Sequence, residues 1–378
     1  MREVELMRPM DIHTYMEQQK NRITARSRQV KDFGVFDFNH VPEEPVMRDE
    51  CRDLVDAMLR FDVTGVATHM AVIGSRGSGK TLMLKYLQRL MPKKTGLNIQ
   101  YANCRHHNTS YRIFAHLLGG SCAGCALSEL YDRFITHFAT DGRQAGRTVL
   151  VLDEVDLMSP KDKRREILYL LSRSEQPFML ILLSNSPQVL NQLDAATRSS
   201  LQPVPLHFAN YDAQQIRSIL ADRARRGLHA WDDGDLAKIA ALTVNRTNAD
   251  ARVAIKTLYY SVTRSEESLE DCFEVARRDI VVDMISDLSD GNLMILWAAA
   301  TSRDGLARKV YDRYGRLSRD QGEKPFSYVH FYANLSYLQS MSLITLSSTK
   351  QGRTYTNRIL VTFDPATVES ICKLRFNE

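Results

Sequence analysis

The run Gly74-Ser75-Arg76-Gly77-Ser78-Gly79-Lys80-Thr81 restricts the fold of this chain more than any other segment. It follows an apolar stretch near residues 69 to 74 and precedes a helical pattern, which is the strand–loop–helix setting that a P-loop requires. Glycines let such a loop curl until successive backbone N–H groups point inward at phosphate oxygens, helped by the positive end of the following helix. Lys80 is then placed to reach β and γ phosphates, and the Thr81 hydroxyl to ligate Mg²⁺.

A Gly-rich turn matching by chance is the competing reading, and a second segment argues against it. Thr148-Val-Leu-Val-Leu-Asp153-Glu154 reads as a buried strand whose end delivers two carboxylates about seventy residues later. Asp153 is expected to hold Mg²⁺ through water, while Glu154 orients and deprotonates the water that attacks a γ phosphate. Asn185 ends the next apolar run, where its amide either holds that water or caps a helix before Pro187. Asn103 ends the second strand in the same way, with a turn role as its alternative.

The flanking pattern alternates strand and helix from His69, with apolar runs near 69–74, 98–102, 148–152, 179–184 and 204–208. Near-continuous apolar strands separated by helices predict a parallel sheet covered on both faces. From Asp212 to about Leu288 the period is helical throughout. Three helices near 291–302, 306–319 and 326–340 then precede strands at Leu343–Ser347 and Tyr355–Phe363, an order that describes a winged helix. At 378 residues, several domains are expected: an N-terminal arm at 1–40, a nucleotide-binding domain at 41–210, a helical lid at 211–288 and the winged helix at 289–378.

Charge is uneven. From Gly291 onward twelve Lys and Arg stand against seven acids, so the whole net charge of +5 lies in the tail and suggests a polyanionic partner there. In the helix from Phe326, the residues Tyr328, Phe331, Leu335 and Leu338 form one apolar stripe. Ser327, His330, Asn334 and Tyr337 form an adjacent polar face expected in the major groove of duplex DNA, with Asn334 reading a base edge. Lys350, Arg353 and Arg358 on the hairpin are expected on phosphates or in a minor groove. A solvated helix face and a charged loop are the alternative.

The apolar stretches are far too short to span a bilayer, and residues 1 to 29 lack a secretory pattern, so a cytoplasmic, nucleoid-associated location is expected. Six scattered cysteines disfavour a disulfide framework. Cys122 and Cys125, with Cys104, His106 and His107 upstream, read as free thiols, with zinc as the alternative.

These motifs, in this order, resemble the AAA+ ATPases. Val41-Pro-Glu-Glu-Pro-Val46-Met-Arg48, Asn103-Cys-Arg105, Tyr211 opening the lid and Asp250-Ala-Arg252 within it are similar to the origin-recognition/cell-division-cycle initiator family in its archaeal, single-polypeptide form. The resemblance implies an α/β P-loop domain with a helical lid and a C-terminal winged helix. It implies that Val46, Arg48 and Tyr211 lie against the nucleotide, that Asn185 and Arg252 are the first and second sensors, and that Asn103 restrains Glu154. Arg198 then stands where the family places an arginine acting on a neighbouring subunit's nucleotide. The implied function is a replication initiator: it binds origin duplex DNA, uses ATP with slow hydrolysis as a switch, recruits the replicative helicase and self-associates on DNA. A helicase loader or regulatory paralogue, and a signalling or transposition ATPase whose winged helix docks protein, are the alternatives. Two departures stand out. Ala249 occupies the position before Asp-Ala-Arg where the family usually has Gly, and residues 118 to 127 are too short for a second DNA-touching insertion.

Overall fold

The computed structural model describes residues 12–17, 20, 29–139, 147–159, 162, 165–186, 188–264, 266–351 and 354–376. Residues 12–17 are helical (α1). The chain divides into two compact units: residues up to His40 with Asp212–Ile280, and Val41–Tyr211 with Val281–Glu378.

The second unit is built on a five-stranded sheet. Helix α2 (Asp49–Thr64) precedes β1 (Met70–Gly74), α3 (Lys80–Leu90), β2 (Asn98–Asn103), α4 (Ser110–Leu118) and α5 (Leu127–Ala139). Then follow β3 (Thr148–Asp153), α6 (Glu166–Ser172), β4 (Phe178–Ser184), α7 (Ala195–Leu201) and β5 (Val204–Phe208). The strand order is β2-β3-β4-β1-β5, and every pairing is parallel. Parallel strands need crossover helices, which cover both faces, so the central strands β1, β3 and β4 are apolar nearly throughout, while the edge strands β2 and β5 alternate. Every residue of β3 and β4 is accordingly buried. Successive side chains still go to opposite faces. Leu150, Leu152, Leu180 and Leu182 pack with Ile113, Phe114, Leu130 and Phe134 of α4 and α5. Val149, Val151, Met179 and Ile181 pack with Leu54, Met58, Leu84 and Leu87 of α2 and α3. Pro205 is accommodated in β5 because that strand is an edge.

The same unit contains α12 (Asp290–Ala300), α13 (Ala307–Asp320), α14 (Tyr328–Ser340), β6 (Ile344–Gln351), β7 (Thr354–Val361) and α15 (Pro365–Phe376). The apolar stripe of α14 is buried as expected at Phe331, Leu335 and Leu338. The hairpin runs further toward its turn than the sequence pattern indicates, while its second strand ends two residues earlier, at Val361. The antiparallel register continues through Thr349↔Thr356 and Lys350↔Tyr355, so Lys350 lies in a strand and not in the connection; cross-strand pairing of β-formers favours the extension. Helix α15 has no counterpart in the sequence reading. Pro365 opens it, Asp364 Oδ1 accepts from Ala366 N at 3.0 Å, and Trp297 stacks on Phe376.

The first unit contains α8 (Ala213–Gly227), α9 (Asp233–Arg246), α10 (Ala251–Thr263) and most of α11 (Leu269–Ser286). A reciprocal capping box between Asp212 and Gln215 starts α8. The segment expected as an arm is, from residue 29 on, part of this unit. Val30 bridges Leu228, Val35 and Phe36 are buried, and the buried Arg223 guanidinium donates to the carbonyls of Val35 and His40. Gly227 is required there, since a Cβ would overlap Val35. Ala249 has φ +51°, in the left-handed region that disfavours any Cβ and suits the glycine that the resemblance leads one to expect there. No helix among the described residues is long and apolar enough to cross a membrane.

His69, just before β1, accepts a hydrogen bond from Leu180 N through Nδ1 at 3.1 Å. Burial lowers its pKa from 6.5 to about 4. Because the folded state resists protonation, its contribution is present above pH 6.5 and is lost as pH falls toward 4. His69→Asn keeps an acceptor that does not titrate. Urea unfolding at pH 7 and pH 4.5 should therefore show a loss about 2 kcal/mol smaller in the variant than in the wild type. Equal losses would show that His69 is not the titrating group.

Candidate nucleotide site

The loop after β1 has the curl expected of a phosphate cradle. Gly77 and Gly79 have φ +76° and +87°, and a Cβ on Gly74 would lie 2.6 Å from the Phe208 carbonyl oxygen. Lys80 heads α3 and is buried, its Nζ donating to the carbonyls of Gly74 and Ser75 at 2.8 Å each and to Asn185 Oδ1 at 3.0 Å. Ser78 Oγ donates to Ser75 O at 2.8 Å, and Ser75 Oγ bonds Asn210. The inner surface of the loop is lined by backbone and one cation, so it suits an anionic ligand.

Arg48 is placed differently from the expectation that it lies against a nucleotide. It is buried beneath the loop, donating to Ser78 O and Ala209 O at 2.8 Å each, with its guanidinium over the Tyr211 ring at 4.4 Å and the Phe208 ring at 5.0 Å. Its contacts brace the loop. Tyr211 packs over Gly79, where a Cβ would overlap its hydroxyl, and Val46 is half-buried two residues before Arg48.

Strand order brings the remaining groups to the loop. Thr81 Oγ1 donates to Asp153 Oδ2 at 2.7 Å, and Tyr101 Oη donates to the same oxygen at 2.7 Å. Burial raises the pKa of Asp153 above the usual carboxylate range, with the Thr81 and Tyr101 hydrogen bonds opposing it. Tyr101 went unnoticed in the sequence, although period-two alternation in β2 puts it on the same face as Asn103.

Glu154 leaves the end of β3 in a left-handed conformation, φ +52°. Burial acts to raise its pKa, but the hydrogen bond and charge of Arg105, then Arg76 and Asn103, hold it below the usual range. Arg105 Nε and Nη2 reach the two carboxylate oxygens at 3.0 and 3.4 Å. Asn103 Oδ1 accepts from Arg105 N at 2.7 Å. Arg105 likewise carries no functional signal of its own in the sequence beyond its place in Asn103-Cys-Arg105.

Other candidates lie elsewhere. Arg198 is exposed on α7, whose N-cap is Asp194. Arg252, in the other compact unit, pairs with its own N-cap carboxylate Asp250, the closest approach being 2.5 Å. On α14, Ser327 is the N-cap, Asn334 Nδ2 donates back to His330 O at 2.8 Å, and the His330 ring stacks on Phe326. The expected DNA face is not simply open to solvent. His330, Asn334 and Tyr337 line a cavity of about 500 Å³ together with Arg105, Asp156 and Asp287. On the hairpin, Lys350 and Arg358 are exposed, Arg358 Nε bonding Asp304 O at 3.1 Å; Arg353 lies outside the described residues. Among the described residues no three His, Cys, Asp or Glu side chains gather as a zinc site needs, and all six cysteines are free thiols.

Residues 64–193 match the family model described as an AAA domain. The chain is 26% identical over 368 residues to an ORC1-type DNA replication protein of Desulfurococcus amylolyticus, covering 88% of this chain and 91% of that one. Among solved structures, the Aeropyrum pernix ORC1 protein in complex with DNA has a TM-score of 0.66 at 23% identity, covering 92% of this chain and 97% of the other. The Aeropyrum pernix ORC2 protein in its ADPNP and ADP complexes has a TM-score of 0.57 at 22% identity, covering 93% and 100%.

Two substitutions separate binding from chemistry. Lys80→Ala should weaken Mg-ATP and Mg-ADP binding at least about tenfold in calorimetry, because the phosphates lose the buried cation. Glu154→Gln should bind ATP like the wild type and hydrolyse it at least about a hundredfold more slowly, because an amide cannot accept the water's proton. Unchanged affinity in the first or unchanged turnover in the second would contradict the assignment of that residue.

Proposed function

The chain belongs to the archaeal-type origin-recognition/cell-division-cycle family of AAA+ proteins, and from that membership we propose that it is a replication initiator that binds origin duplex DNA and uses ATP as a slow switch. The observation that carries this reading is the reach of the likeness, which covers 88% of this chain and 91% of the Desulfurococcus protein, and 92% and 97% for the Aeropyrum structure, well beyond the matched AAA domain.

Lys80 and the loop N–H groups bind the β and γ phosphates, Val46 and Tyr211 form the wall toward the base, and Arg48 supports them by bracing the loop. Glu154 takes the proton of the attacking water, which Asn185 helps to position from its place beside Lys80. Thr81 and Asp153 offer the hard oxygen donors that would hold Mg²⁺, which would supply charge neutralisation at the phosphate oxygens. Arg252 acts as second sensor and Arg198 on a neighbouring copy's nucleotide, roles that rest on their motifs. Self-association on DNA and recruitment of the replicative helicase follow from the same membership.

For the C-terminal part we propose a winged helix, residues 289–378, with α14 as the reading helix and the β6–β7 hairpin as the wing. The nucleotide-binding domain is then 41–210 and the helical lid 211–288. The excess of basic residues after Gly291 supports a DNA partner over a docked protein.

A salt titration distinguishes positioning from reading. Lys350→Ala should weaken binding to every duplex and reduce the slope of log affinity against log salt by about one. Asn334→Ala should cost about 1–3 kcal/mol of discrimination between preferred and random duplexes. If both variants match the wild type on both duplexes, this surface does not contact DNA.

A further inference from the structure

We propose that Val329 selects sequence by packing on the C5 methyl of thymine in the major groove. The inference rests on the reading of α14 as the helix that enters that groove and names the chemistry it reads there.

Two sides of α14 are already occupied. Phe331, Leu335 and Leu338 are buried, and His330, Asn334 and Tyr337 line the cavity shared with Arg105 and Asp287. At 3.6 residues per turn, the remaining side carries Val329, Tyr332 and Ser336. Tyr332 leans on Tyr328, their ring centroids 5.1 Å apart, so it is half-buried. Val329 projects furthest, at 81% exposed. Ala333, one turn on, is exposed where this side meets the cavity, and its single methyl lets a groove floor come close to the helix.

One exposed valine is ordinary on a protein surface, and the setting is what makes this one informative. Helix α14 contains no Asp, Glu, Lys or Arg, whereas α13 carries Arg308, Lys309, Arg313, Arg316 and Arg319. Phosphate contacts position a reader, and base contacts specify. An uncharged stripe beside a cationic helix is complementary to a groove whose rims are phosphates and whose floor is base edges. Arg308 stands at the junction of the two helices. It is exposed, with its guanidinium over the Tyr328 ring at 5.4 Å and only a 3.8 Å approach to Asp312. A phosphate held there brings the first turn of α14 to the bases, the part of a reading helix that touches them. Arginine and lysine read guanine, and carboxylates read cytosine; α14 has none of these. Val329 offers apolar surface alone, and the thymine methyl is the apolar group that the major groove displays.

The experiment uses the full chain and a duplex that it enriches from a random-sequence pool, synthesised either with thymine or with uracil at every thymine position. Uracil keeps the hydrogen-bonding edge and lacks only the C5 methyl. The wild type should bind the thymine duplex at least about fourfold more tightly, the transfer value of one buried methyl-sized group. Val329→Ala removes both γ methyls at an exposed site where alanine is the better helix former, so it should fold normally and bind the two duplexes within about twofold of each other. Equal wild-type affinity for the two duplexes overturns the inference and leaves the initiator reading intact. A Val329→Ala chain that keeps the wild-type preference overturns it too, because the methyls would then act through the shape of the duplex. If no duplex is enriched, the DNA-binding reading fails and this inference fails with it.

Discussion

Insertion of β4 between β1 and β3 decides where every chemical group of the site ends. Its parallel register aligns Ile73 with Ser184 on one side and Leu152 with Leu182 on the other, so three strands finish at one level. Two strand spacings separate β1 from β3, roughly 10 Å, too far for a loop residue to touch a β3 carboxylate directly. Asn185 fills that interval and meets Lys80, while α3, starting at the loop, carries Thr81 across to Asp153. Ligands in open α/β sheets settle at the carboxyl ends of strands for this reason.

How far this was legible in the sequence depends on what signal each part leaves. The buried strands are continuous apolar runs, and the loop between β1 and α3 announces itself by glycines that no other role demands, so the sheet and the residues from Gly74 to Thr81 could be read directly. Asp153, Glu154 and Asn185 were legible because each ends such a run. Tyr101 and Arg105 were not: one is an aromatic in a strand, the other a charge in a turn, and only the pairing of β2 with β3 brings them to the carboxylates. Arg48 illustrates the converse. Its motif position suggested ligand contact, but its geometry braces the loop, since a buried guanidinium must spend its donors on carbonyls.

Conformational constraint also explains a departure from the family pattern. Ala249 keeps a left-handed φ, so the backbone turn into α10 survives without the glycine, and Asp250 still caps the helix by accepting from Arg252 N at 2.9 Å. The change strains one residue and leaves the motif's geometry in place. The inner ends of the hairpin strands and the whole of α15 leave a weaker trace, because they rest on pairing and on packing against Trp297, neither of which has a local sequence signature.

The central claim is that a nucleotide site and a sequence-reading C-terminal module act together in one chain. Footprinting of the full protein across fragments of its own source genome, with Mg-ATP and with Mg-ADP, tests that claim most directly. The account predicts protection confined to a few discrete sites, with extent or strength that differs between the two nucleotides. Uniform protection, no protection, or a pattern indifferent to nucleotide would contradict it.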